Sequence, residues 1–108
     1  MLSAGLLSFI MELIILNTMP IPKQAIKNAK RALKKRNEFK DKPMTSSGVK
    51  TAKQLTTGYY SKNREGKIYS FLARTIKAQE KNPTARRQVA INGWGGKSLY
   101  NYLKKKRG

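Results

Sequence analysis

The sequence has no cysteine and no histidine among its 108 residues. The first absence excludes disulfides, thiolate nucleophiles and cysteine metal sites, and it is compatible with any compartment. The second removes the usual proton shuttle near neutral pH and the commonest zinc ligand. Acids are almost as scarce, with 5 Asp and Glu against 24 Lys and Arg. Beyond Glu12 they are Glu38, Asp41, Glu65 and Glu80, too scattered to read as a carboxylate pair for acid–base work. Trp94 is the lone tryptophan. The glycines around it fit neither the dinucleotide fingerprint nor the Walker spacing. Ser98 beside Lys97 is adjacency alone, without further support for a lysine-activated nucleophile. No catalytic residue, metal or cofactor is expected, and the chain reads as a non-enzyme.

What is present is positive charge, a formal net +19. Glu12 is the only charged side chain before Met19, so a single domain's length carries every cation. A fold of that size repels itself. Such a charge persists most easily where a partner supplies the counter-charge. Nucleic acid is the commonest such partner, and an anionic membrane surface is the second. The core must be small, because a domain of this size buries roughly 60–65% of its unfolded surface. That suffices for a few packed helices and leaves no room for a deep substrate cavity.

Residues 1–18 differ in kind from the rest. They form an apolar run from Leu2 to Leu16, broken by Ser3, Ser8 and Glu12. The run is short for a spanning helix, has a charge near its centre, and lacks the basic start and cleavage site of a signal peptide. Three readings fit it: a helix docked on the domain or on a neighbouring subunit, a membrane anchor, or an upstream extension with Met19 as the natural start. Pro22 then suits the first turn of a helix over Lys23–Phe39, with Ile26, Ala29 and Leu33 inward and Ala25 and Ala32 beside them. Thr45, Ser46 and Ser47 are candidate caps for a second helix containing Val49, Ala52 and Leu55, which Thr57-Gly58 stops. Ser61 is a plausible cap for a third helix, from about Lys62 to Glu80, with Ile68, Phe71, Leu72, Thr75 and Ile76 on one face. Asn82-Pro83 breaks it. Thr84 can cap a fourth helix holding Val89 and Ala90. After Gly93-Trp94-Gly95-Gly96, Ser98 can cap a fifth with Leu99, Tyr102 and Leu103 inward. No segment alternates convincingly with period two. The expected architecture is all-α: a small bundle of four or five short helices over residues 19–103, a Gly-Trp-Gly-Gly turn near its end, and a basic tail, 104–108.

From Met19 onward the order of residues resembles a small domain encoded by tailed bacteriophages and some large DNA viruses. The matching positions are Ala29, Leu33 and Arg36, then Thr45 to Val49 with Gly48, Ala52 and Leu55. Gly58, Ser61, Phe71-Leu72-Ala73-Arg74 and Gly93-Trp94-Gly95-Gly96 complete the set. The chain departs from the family pattern at Thr75, where His is usual, and at Ile91, Lys97 and Tyr102, where Trp, an acid and Trp are often found. The resemblance implies a viral origin, in the virion or the host cytoplasm, and no particular activity.

Function is expected on the basic residues. Lys27, Lys30, Arg31, Lys34 and Lys35 recur at helical spacing and form one stripe, with too few acids nearby to pair them. Such a stripe matches a phosphate backbone. Lys104, Lys105, Lys106 and Arg107 make a second cluster. Arg86 and Arg87 are candidates for bidentate phosphate contacts. Arg74 reads first as structural, stacking on Trp94 or capping a carbonyl. Trp94 reads first as a core anchor whose glycine neighbours let the turn close, and second as a stacking platform for a base. The leading expectation is a viral protein binding DNA or RNA through backbone charge. The alternative is a structural virion component that meets capsid proteins or packaged genome. Membrane association through residues 1–18 is a third. Two short helices around Thr57-Gly58 could mimic a helix-turn-helix.

Overall fold

Pro22 starts the first helix as its sequence position implies. Its fixed φ of −60° with an extended ψ of 148° turns the chain into α1, Lys23–Lys35. In the computed structural model, residues 18–107 are described. The readings of the apolar run therefore lie outside the described residues, as does Gly108. A 3-10 turn, Arg36–Glu38, tightens the end of α1. Four more helices follow: α2, Ser46–Leu55; α3, Glu65–Lys81; α4, Ala85–Gly93; and α5, Gly96–Arg107. The all-α expectation holds, with one addition. Strand β1, Thr18–Pro20, pairs antiparallel with β2, Tyr59–Ser61, Met19 opposite Tyr60. Three residues are too few to show a period of two, so the pair was not legible in the sequence.

Two predicted caps are made. The Thr45 hydroxyl accepts from Gly48 N at 3.1 Å and the Thr84 hydroxyl from Arg87 N at 3.1 Å. Two are not. Ser61 belongs to β2 and is clasped by the Gln54 amide: its hydroxyl accepts from Gln54 Nε2 at 2.7 Å and its N–H donates to Gln54 Oε1 at 3.2 Å. Ser98 sits inside the first turn of α5, donating back to Gly95 O at 3.2 Å. The helix-turn-helix expectation also fails. Between α2 and α3 come β2 and a 3-10 turn, Lys62–Arg64, in place of a tight turn.

α1 is the centre of the bundle and packs on α2, α4 and α5, while α3 packs on α4 and α5. It can be central because its inner stripe is alanine. Ala25, Ala29 and Ala32 are at most 1% exposed, and small side chains let three helices approach one axis closely. Larger residues from the other elements fill the remaining space: Leu55, Tyr60, Ile68, Leu72, Ile91, Leu99 and Leu103 are all buried. Trp94, 5% exposed, stacks on Phe71 with ring centres 4.3 Å apart. Its reading as a core anchor is the one the structure bears out. Tyr102, expected inward, is 36% exposed. Tyr100 takes the inner side instead, stacked on Tyr69 at 5.5 Å.

Candidate nucleic-acid interface

The alanine stripe faces inward, so the cations of α1 face out. Lys27, Lys30, Arg31, Lys34 and Lys35 are all exposed, as is Lys23 one turn earlier. From Lys27 to Lys35 the face runs about 12 Å along the helix axis. On duplex DNA that length carries on the order of seven phosphate charges. Lys35 meets Glu38 at 2.5 Å, but both side chains are more than half exposed, and such a pair is weak. The other cations of the face make no ion pair among the described residues.

The remaining predicted cations divide differently. Arg86 donates to the carbonyl of Asp41, and its guanidinium lies 6.0 Å from the centre of the Phe39 ring. Arg36 Nε donates to Pro43 O at 3.1 Å. Together these two arginines pin the loop between α1 and α2. Arg87 donates to the carbonyls of Ala78 and Asn82 and so caps the C-terminal end of α3. Both arginines expected at phosphates therefore hold carbonyls. Arg74 is exposed, and Trp94 stacks on Phe71 rather than on it.

The predicted basic tail is the last turn of α5, and part of it is compensated internally. Lys106 Nζ lies 3.0 Å from Glu65 Oε1, and Arg107 Nη1 lies 3.3 Å from Glu65 Oε2. The buried Tyr60 hydroxyl donates to the same carboxylate. That bond first, and then the two cations, hold the Glu65 carboxyl below the usual carboxylate range. Burial first, and then Glu65, push the Tyr60 phenol well above its usual value. Lys104 and Arg107 also lie over the rings of Tyr100 and Tyr69. Lys104 and Lys105 make no ion pair among the described residues.

The structure also gathers cations that sequence spacing does not group. Lys50 of α2, Arg64 of the 3-10 turn and Lys67 of α3 line one open cleft of about 640 Å³ with Ser46, Ser47, Ser61 and Asn63. Lys67 Nζ donates to Ser47 Oγ at 3.3 Å, and Arg64 Nη2 to the buried Thr51 hydroxyl at 2.9 Å. Among the described residues no carboxylate lines it. These residues come from three segments, so only the packing of α2 against the β2 region brings them together. Among the described residues, no group of three or more acids stands close enough to hold a metal ion, and no helix is long and apolar enough to cross a membrane. Compared with known proteins, the chain matches no family model, no curated protein sequence and no solved structure.

Proposed function

We propose that this chain is a viral, non-enzymatic protein that binds DNA or RNA through backbone phosphates with little sequence specificity. The observation that carries the reading is the outer face of α1. Five exposed cations lie on one side of a helix, and among the described residues a single weak ion pair is all that offsets them. Condensed counterions released from the nucleic acid would drive association. The cleft lined by Lys50, Arg64 and Lys67 adds donors suited to phosphate oxygens. The viral part of the reading rests on the likeness of the ordered sequence elements to the phage domain.

Electrophoretic shifts with duplex DNA, single strands and RNA across a salt series test it. With about 6–10 phosphate contacts, affinity falls roughly 10³- to 10⁵-fold between 50 and 200 mM salt. Replacing Lys30, Arg31 and Lys34 together by Ala weakens binding to all sequences alike and lowers the salt slope by about three. A flat salt response, or a triple variant that binds as the parent does, rejects the reading.

A further inference from the structure

Beside the basic face of α1 lies a notch of about 250 Å³, between α1 and α4. Its floor is Ala32 and Val89, which are 1% and 4% exposed. Phe39 and Ala85 form its walls, and Arg31 and Lys35 stand beside it. The Phe39 ring is held in place: its loop is pinned by Arg36 and Arg86, and the Arg86 guanidinium lies 6.0 Å from the ring centre. An apolar recess with an aromatic wall thus opens on one of the chain's most cationic surfaces.

The volume falls just below the roughly 300–1,000 Å³ typical of sites for drug-sized ligands, so one ring system fills it. Arg31 and Lys35 belong to both the notch and the phosphate-binding face. One occupant satisfies the two chemistries together: a flat, weakly polar ring carried on a chain of phosphates. A duplex cannot supply it without extruding a base, which costs unstacking and unpairing. A single strand can.

We propose that this notch takes one unpaired base of a single strand, stacked against Phe39, while the neighbouring phosphates lie on Arg31 and Lys35. The inference rests on the polyanion reading of the α1 face and adds strand selectivity to it. Stacking of this kind tolerates any base, because every base has a π-face. Asn92, half-buried at the same notch, accepts from Gln88 Nε2 at 3.0 Å through its Oδ1. Its own amide N–H groups make no hydrogen bond among the described residues and can meet a base carbonyl.

Fluorescence anisotropy of the full chain with a labelled oligothymidylate and a labelled duplex, at two salt concentrations, tests the proposal. The parent binds the single strand more tightly. Phe39→Ala weakens single-strand binding about tenfold, on the scale of one lost base stack, and leaves duplex affinity unchanged. Ala85→Leu fills the notch from an exposed helix position and produces the same selective loss. This second variant guards against Phe39→Ala acting through a loosened loop, and circular dichroism checks both folds. If both variants bind both nucleic acids as the parent does, or lose both equally, the notch assignment is overturned and the α1 face stands. If the parent binds neither, the face and the notch fall together.

Discussion

Gly95 and Gly66 carry opposite predictions. Gly95 has a φ of +108°, and a Cβ there would lie 2.4 Å from Leu99 Cδ2 and 2.6 Å from Leu99 Cβ. Leu99 is fully buried and cannot retreat. Gly95→Ala therefore combines backbone strain with overpacking, a cost of about 2–4 kcal/mol. Its melting temperature should fall by roughly 10–25 °C. Gly66 lies in the first turn of α3, and a methyl group added there would meet nothing within 4 Å. Gly66→Ala should stabilise by about 0.5–1 kcal/mol, read as a rise of a few degrees in the same melt. The Gly-Trp-Gly-Gly turn was legible in the sequence, but its reasons were not. Gly95 and Gly96 take positive φ, and Asn28 Nδ2 of α1 donates to Gly95 O at 3.0 Å, tying the turn to the bundle centre. Gly93 instead leaves room for the side chain of Met44, itself held at a φ of 83°. Neither Asn28 nor Met44 is near the turn in sequence.

The last turn of α5 shows how an element's fate depends on a distant residue. Four consecutive cations read as a tail, yet Glu65 and Tyr60 supply Lys106 and Arg107 with partners, and the helix continues. The pH dependence follows from the two shifts. The Glu65 carboxyl is held low, first by the Tyr60 hydroxyl. Its contribution is present above its unfolded value near 4.3 and is lost as pH falls below that. The Tyr60 phenol is pushed up, first by burial. Its contribution is complete below about pH 10 and is lost as pH rises further. Urea unfolding should therefore find Glu65→Gln less stable than the parent by about 1–2 kcal/mol at neutral pH, with the gap closing below about pH 4. Tyr60→Phe should also be less stable at neutral pH, and its gap should close above about pH 10. A pH-independent difference for either variant contradicts the assignment.

Over the whole molecule, a net charge of +19 is opposed by few internal pairs: four contacts, using only three acids, join the described residues. Self-repulsion then lowers the stability of the free fold. Raising salt from 10 to 200 mM should raise the melting temperature of the protein alone, because screening relieves that repulsion. A short polyphosphate should raise it further at constant ionic strength, by binding the folded state. Salt thus acts with opposite sign on the free fold and on its hold of a polyanion. A melting temperature that falls with salt would show that the ion pairs outweigh the repulsion.

Composition and local pattern by themselves determined the helical class, the caps at Thr45 and Thr84, the breaks near Gly58 and Pro83, and the outward stripe of α1. Each depends on residues within a turn or two of one another, which sequence spacing expresses directly. Only the tertiary structure decided that Arg86 and Arg87 hold carbonyls, that Glu65 captures the end of α5, and that Lys50, Arg64 and Lys67 share a cleft. The same holds for the apolar notch that opens beside Arg31. Most of these arrangements join segments far apart in the chain, and the Arg87 cap depends on how α4 turns back against α3, so spacing within one element expresses none of them.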